Sequence, residues 1–412
     1  MADNMAGERL VTRGEQMLAL RRRRDSASHP FFRGGFRPFF FGGASWALIA
    51  LALWICSLTG HVSLPTSLDA LTWHRHEMLF GFVGAVIGGF LLTAVPNWTG
   101  RLPIAGWPLA GLFALWVAAR LALLFSSVTG LWLAFILDVG LFLLLGLVAA
   151  REVLEANNRN LPVVGMILLF GLADALDYLC AGGTITFPDL GWQLAIAIVV
   201  LLISLIGGRI IPSFTRNWMA KQGMKTGLPT QPGRFDLLVI GATAVAMLFW
   251  LTGPPETATG LVLIAAATLQ LARWARWSGW RTYPDPLVLI LHVGYLWIPI
   301  GLALLGLSLA GFVPRSAAIH SLTAGAMATM ILAVMTRASL GHTARALKAS
   351  PLTVLVYLFV TAGAVFRVAA ALRLIDYNSG IDIAGLAWGG AFLLFLIAYA
   401  PVLWRPRLGE KR

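Results

Sequence analysis

The apolar pattern on which the fold is built, together with the first candidate site, appears in residues 73–101, WHRHEMLFGFVGAVIGGFLLTAVPNWTGR. This stretch places His74 and His76 ahead of an apolar run that continues to about residue 97. As a helix, a run of this length is long enough to cross the hydrocarbon core of a bilayer. The polar segment PNWTGR then ends the run. The stretch therefore predicts a membrane-spanning helix with two histidines at its beginning.

The rest of the chain repeats this apolar pattern. Of its 412 residues 58% are hydrophobic and only 12% charged, and the mean hydropathy is +0.79. So few charges do not cover the surface of a soluble protein. The predicted fold class is all-α, a polytopic membrane protein of about twelve transmembrane helices with no soluble domain. The predicted spans are about 39–58, 77–97, 106–125, 129–149, 161–181, 187–207, 235–252, 257–275, 286–307, 317–337, 352–373 and 384–403.

The distribution of basic residues predicts the orientation of these spans. Of the 31 Lys and Arg residues, only Arg75, Arg315 and Arg373 fall in predicted outer loops, and Arg120 and Arg367 fall inside spans. The remainder lie on one side, as the positive-inside rule requires of cytoplasmic segments. Both termini are therefore expected in the cytoplasm, as a basic N-tail (1–36) and a C-tail (405–412). The net charge of +13 reports insertion into the lipid bilayer and not a nucleic-acid partner.

The spacing of the spans suggests three units of four helices, 37–150, 160–276 and 286–404, within one transmembrane domain 37–404. The second, sixth and tenth helices then become equivalent. All three run from outside to inside and end in polar segments, PNWTGR, GRIIPSFTRN and TRASLGHTAR. The tenth helix also repeats the second, because Gly325 follows His320 at the same offset at which Gly81 follows His76. The sixth helix has no histidine.

Several ionisable residues fall inside the predicted spans. Arg120 and Asp138 lie in the outer halves of neighbouring antiparallel helices, so we expect an intramembrane ion pair. Asp174 and Asp177 share one face of the fifth helix and indicate either a proton relay or helix–helix hydrogen bonding. The two cysteines, Cys56 and Cys180, are expected to be free thiols.

Three histidines lie at or just inside the predicted outer interface, namely His74, His76 and His320. Imidazole is a common ligand of haem iron and of copper. If the second and tenth helices face one another, His76 and His320 meet at one depth. His74 and His76 point to opposite sides of a regular helix. Either the segment is extended and the pair chelates one metal, or one of them binds haem and the other has another role.

Two more candidate ligands lie nearer the predicted inner side, His292 in the ninth helix and His342 at the end of the tenth. Arg209 and Arg337 lie at the same side. Guanidinium groups bind carboxylates in bidentate fashion, so this pair is predicted to hold haem propionates or another anion. The positive-inside rule alone also accounts for both arginines.

A stripe of small residues follows the histidines of the second helix. Gly81, Gly84 and Gly88 fall on one face of that helix. They leave a groove for a flat porphyrin, or they permit close helix packing, which is the commoner use of small residues in membranes. Glu77 lies on the same stripe and is expected to accept a hydrogen bond that orients an imidazole.

The blocks FRPFF, WHRHEMLFGF, GRIIPSFTRNW, LHVGYLW and HSLTAGAMATMILAVMTRASLGHTAR together resemble the NnrS family. The resemblance implies a bacterial inner-membrane protein of about twelve helices that holds haem b and copper. It also implies a link to nitric oxide metabolism and to resistance against nitrosative stress. The histidines inside the matching motifs are His74, His76, His292, His320 and His342.

The leading hypothesis is therefore a haem- and copper-binding protein, with His76 and His320 as axial haem ligands. Copper is expected near His74 or at His292 and His342. Such a protein would act on nitric oxide or iron–nitrosyl species in one of two ways. It is either a redox protein that receives electrons from a donor, or it only binds these species.

Two other functions remain open from the sequence. One is a secondary transporter that uses the buried residues Asp138, Asp174 and Asp177, because twelve spans and interrupted helices are typical of transporters. The other is a membrane sensor of metal or nitric oxide, or an assembly factor. The transporter hypothesis predicts that function depends on the acids and tolerates replacement of the histidines.

Overall fold

The computed structural model describes residues 28–187 and 189–409, and within these ranges every regular element is helical. The basic run Arg21–Arg24 and the C-terminal residues Lys411 and Arg412 lie outside the described residues. Cys56 and Cys180 are free thiols, as expected.

Twelve helices of the described chain are long and apolar enough to cross a membrane, which confirms the predicted fold class. Lipid offers no partners for backbone N–H and C=O groups, and a helix satisfies these groups within its own length. The twelve helices are α1 Phe36–Leu58, α2 Ala70–Thr99, α3 Trp107–Leu124, α4 Leu131–Glu155, α5 Leu161–Ala181, α6 Leu190–Lys221, α7 Arg234–Thr252, α8 Glu256–Ala275, α9 Pro286–Leu309, α10 Arg315–His342, α11 Pro351–Ala371 and α12 Tyr377–Trp404.

The bundle closes on itself, because α12 packs against α1. The guanidinium of Arg37, in the first turn of α1, donates to the carbonyl oxygens of Leu403 and Arg405 at 2.8 and 2.7 Å. We call the end of the bundle that holds this contact the terminal face, and the opposite end the distal face. If the predicted orientation holds, the terminal face is cytoplasmic.

Helices α2, α6 and α10 lie towards the inside of the bundle. The apolar cores of α2 and α10 are 72% and 67% buried, against 33% for α7 and α12. Helix α6 contacts both α2 and α10. These three helices are therefore able to bring side chains from distant parts of the sequence to a common place.

The same three helices share an irregularity. Each contains one π-helical segment, Glu77–Val83 in α2, Ile203–Gly207 in α6 and Ser321–Met327 in α10. No other helix of the described chain has one. Two of these segments begin directly after a histidine, and π-helical turns are frequent at functional sites. The shared feature is what three equivalent units would produce, while the unit boundaries themselves stay a prediction.

The glycine stripe of α2 serves helix packing. A Cβ atom added to Gly84 would lie 2.5 Å from the ring of Phe142, and one added to Gly88 would lie 3.1 Å from Leu145. Both neighbours belong to α4. Of the two interpretations of the stripe, the structure shows close packing, because the groove beside Gly84 and Gly88 is filled by side chains of α4.

We therefore expect Gly84→Val to destabilise the protein by about 1–3 kcal/mol, because the added methyl groups overpack the contact with α4. The measurement is thermal unfolding of the detergent-purified protein. Gly111→Val is the matched control, since a Cβ atom at Gly111 meets no atom within 4 Å. Equal unfolding midpoints for the two variants would contradict this account of the stripe.

Candidate functional site

A cavity of about 440 Å³ lies at the distal face between α1, α2, α6, α10, α11 and α12. This volume is within the range of small-molecule and cofactor sites, roughly 300–1,000 Å³. Most of its lining is apolar or aromatic. The ionisable side chains that line it are His74, Arg75, Asp189, Arg315, His320 and Arg367. We call it the distal cavity.

His74 reaches this cavity from the first turns of α2. The side chain of Asp69 caps this helix by accepting from the backbone N–H groups of Leu71 and Thr72. The imidazole of His74 stacks on the indole of Trp54, with ring centroids 4.6 Å apart and planes inclined by 16°. Its Nδ1 is buried and has no hydrogen-bond partner among the described residues. A buried ring nitrogen without a partner requires an explanation, and a bound ligand is one.

His320 reaches the same cavity from α10. Its Nδ1 lies 2.7 Å from the backbone oxygen of Ser316. Because a carbonyl oxygen only accepts, Nδ1 carries the proton and Nε2 keeps its lone pair. Metal-ligating histidines usually donate the N–H of their other ring nitrogen to a carbonyl or carboxylate oxygen, as Nδ1 of His320 does here. His74 and His320 are thus two imidazoles on two helices that line one cavity.

His76 lies in a different environment. Its Nδ1 is 3.0 Å from Asp177 Oδ2, and its Nε2 is 3.2 Å from Asp138 Oδ2 and 3.5 Å from Asp174 Oδ1. The imidazole is 1% exposed. It contacts α4 and α5 and is not part of the lining of the distal cavity.

The sequence predicts that His76 pairs with His320, whereas the structure brings His74 and His320 to one cavity. The physical reason is the helix itself. The chain is α-helical from Ala70 to His76, so side chains two residues apart point to opposite sides. The extended, chelating arrangement of His74 and His76 is therefore excluded.

A buried ionic network surrounds His76. The guanidinium of Arg120 donates to Glu77 Oε2 at 2.6 Å and also to Asp138 Oδ2, which confirms the predicted ion pair. Trp46 Nε1 donates to the same oxygen of Glu77 at 2.6 Å, and Tyr178 donates to Asp138 Oδ2 at 3.2 Å. Glu77 was expected to orient an imidazole. It binds Arg120 and Trp46 instead, because it points to the side of α2 that faces α1 and α3.

The carboxyl groups on α5 complete this network. Asp177 contacts both His76 and Arg75 Nη2, the latter at 3.4 Å. Asp174 approaches His76 Nε2 but accepts no hydrogen bond from a described residue. Of the two alternatives for this acidic pair, hydrogen bonding between helices is observed for Asp177. The sequence identified these acids as buried but contained no signal that they converge on His76.

A second cavity, of about 540 Å³, lies at the terminal face between α1, α2, α5, α6, α9 and α10. Arg209, Arg337 and His342 all line it. The guanidinium of Arg337 lies 4.0 Å from the ring centroid of Phe214. We call it the terminal cavity. The predicted anion-binding arginines are brought together with one predicted histidine, but at the opposite end of the bundle from His320.

His292 does not join His342 in this cavity. Its Nε2 lies 2.8 Å from Thr215 Oγ1, and its backbone oxygen accepts from Trp274 Nε1 at 2.9 Å. Its Nδ1 is buried without a hydrogen-bond partner and packs against Gly279, where an added Cβ atom would lie 2.4 Å away. The packing of this imidazole indicates a structural role in joining α6, α8 and α9.

The family model described as NnrS protein matches residues 30–407. The chain belongs to the NnrS family. No curated protein matches the chain. The match includes all five candidate histidines and both candidate arginines, so membership in the NnrS family is confirmed for the chain as a whole and does not single out any ligand.

Removing Arg120 should destabilise the bundle severely. Arg120→Met leaves Glu77 and Asp138 buried without their cation, and breaking a buried pair in this way costs about 3–5 kcal/mol. Arg101→Met is the control, because Arg101 pairs with Glu152 and Glu155 in a partly exposed position. Such exposed pairs contribute little to stability, because solvent screens them. The unfolding midpoints of the two variants are measured by thermal unfolding in detergent. Equal midpoints would show that the Arg120 network is not essential to the fold.

Proposed function

We propose that this chain is a haem b- and copper-binding protein of the bacterial inner membrane, with both termini in the cytoplasm. It handles nitric oxide or related small nitrogen-oxide species and protects against nitrosative stress. The observation that carries this proposal is the pair of imidazoles, His74 and His320, on the lining of one cavity between α2 and α10. Membership in the NnrS family supports it.

The residues of the distal cavity fit a haem. His320 is held in the tautomer that leaves Nε2 free to ligate, and Nδ1 of His74 is buried without a partner. Arg367 lines the same cavity, and its Nη1 is buried and donates a hydrogen bond to no described residue. A propionate carboxylate would satisfy this guanidinium. Trp54 and Trp388 supply flat apolar walls.

These side chains would hold the haem in distinct ways. His74 and His320 would bind iron, and Arg315 and Arg367 would neutralise the propionates. When bound, haem with two protein ligands supplies electron transfer, and haem with an open position supplies direct binding of nitric oxide. The apolar lining excludes water from this position. An electron donor is a required partner only in the first case.

The proposal changes the predicted role of two residues. His76 faces carboxylates, so His74 replaces it as the proposed partner of His320. Arg209 and Arg337 stay proposed anion ligands, but of the terminal cavity. For copper, His292 and His342 do not share a cavity, and two guanidiniums beside His342 oppose a cation there. The region near His74 is therefore the better proposal for copper.

A secondary transporter is the second candidate, and the buried network favours it. Asp138, Asp174, Asp177 and His76 form a buried cluster of ionisable groups between α2, α4 and α5. Separate variants discriminate the two functions. A transporter requires Asp174 and tolerates His320→Ala, whereas a haem protein of the proposed kind loses its function with His320.

We expect His74→Ala and His320→Ala each to reduce the haem content of the purified protein, because each removes one of the two imidazoles that would hold the haem. The measurement is the Soret absorbance per mole of protein, oxidised, reduced and with nitric oxide added. His61→Ala is the control and should keep the wild-type spectrum, since His61 is exposed in the loop between α1 and α2. A wild-type protein without a Soret band would refute the haem proposal outright.

The position of the haem gives a further prediction. The double variant Arg209→Gln with Arg337→Gln should keep its haem, because these arginines line the terminal cavity and not the distal one. Arg367→Gln should bind haem more weakly. For each variant, the measurement is the fraction of haem retained in the presence of an excess of another haem-binding protein in its haem-free form. The opposite order would place the haem at the terminal face.

A further inference from the structure

The network around His76 carries an excess of negative charge. Four buried carboxyl groups and two guanidiniums meet there, and two negative charges remain uncompensated if each carboxyl is ionised and His76 is neutral. Uncompensated charge in an apolar bundle is costly, so the network requires a further positive partner. The carboxyls belong to Glu77, Asp138, Asp174 and Asp177, and the guanidiniums to Arg75 and Arg120.

The orientation of His76 indicates where that partner binds. Asp177 faces Nδ1 at 3.0 Å, so Nδ1 donates to this carboxylate. Nε2 faces Asp138 Oδ2 and Asp174 Oδ1, at 3.2 and 3.5 Å. Two carboxylate oxygens at one ring nitrogen require a positive charge there, which is either a proton on Nε2 or a metal ion. A carboxylate behind the far nitrogen is also the usual support of a metal-ligating histidine.

Asp174 provides an independent sign of a missing ligand. Its side chain is fully buried, and neither of its oxygens accepts a hydrogen bond from a described residue. Asp138 is equally buried, and its Oδ1 is unpartnered as well. Buried carboxylate oxygens without donors are rare in folded proteins.

We propose that His76 Nε2 and the carboxylates of Asp138 and Asp174 form a binding site for a divalent first-row transition-metal cation. Ligand atoms of these three residues lie within 4.8 Å of one another. A charge of +2 would neutralise the network. Asp177 orients the imidazole, and Arg75 lies between the site and the distal cavity.

The ligand set defines the class of metal. One imidazole and two carboxylates suit Zn²⁺, Mn²⁺, Fe²⁺ or Cu²⁺, whereas Cu⁺ prefers thiolate and thioether ligands. The site does not depend on haem, since none of its three ligands lines the distal cavity. Two protons, one on His76 and one on Asp174, would balance the same charge without a metal, and they are the competing state.

The test uses the full-length protein in detergent with its haem bound. It is stripped with a chelator, incubated with Zn²⁺, desalted and analysed for metal by mass spectrometry. We expect the wild type to retain one more equivalent of zinc than Asp174→Asn does. Asp382→Asn is the matched control, because Asp382 is exposed on α12, and it should retain as much zinc as the wild type.

Size-exclusion chromatography and the Soret spectrum show whether Asp174→Asn is folded. A wild type that retains no zinc overturns the proposal and favours the protonated state, whatever the variants do. Equal retention by a folded Asp174→Asn also overturns it. If this variant does not fold, Cu²⁺-loaded His61→Ala protein decides by electron paramagnetic resonance. Coupling to one imidazole nitrogen that persists when His74 is also replaced by alanine supports the site, and its absence refutes it.

Discussion

The contact of Arg120 with Glu77 and Asp138 is the constraint on which the distal half of the bundle depends. It joins α2, α3 and α4 inside an apolar environment, where an unpaired charge costs several kcal/mol. Any rotation of one of these helices would separate charges that have no alternative partner. The network therefore fixes the rotation of α2 about its axis, and this rotation decides what each of its histidines faces.

That fixed rotation separates two neighbouring histidines into two chemical environments. His74 lies among aromatic side chains in a cavity, where its Nδ1 has no partner, while His76 lies among carboxylates. The first environment suits a ligand of haem iron. The second suits a hard or borderline cation, because carboxylate oxygens supply negative charge as well as lone pairs. A π-helical segment begins directly after His76, as one does after His320, and π-helical turns often accompany functional sites.

The two faces of the molecule also differ in chemistry. The distal cavity offers two imidazoles, whereas the terminal cavity offers Arg209 and Arg337 beside His342. The first can ligate a metal and the second can bind an anion. Helices α2 and α10 line both cavities. The two ends of the bundle thus present cavities of different chemistry.

Twelve apolar runs of bilayer length in the sequence were enough to predict twelve helices, since backbone groups in lipid must be satisfied within each helix. The common polar ends of α2, α6 and α10 were visible in the sequence, and the shared depth of Arg120 and Asp138 predicted their pairing. The sequence did not determine which way each helix faces. His74, and not His76, therefore lines one cavity with His320, and Gly84 and Gly88 form a packing surface against α4. The direction that each helix faces depends on contacts between helices far apart in the sequence, so it is fixed only when the bundle folds.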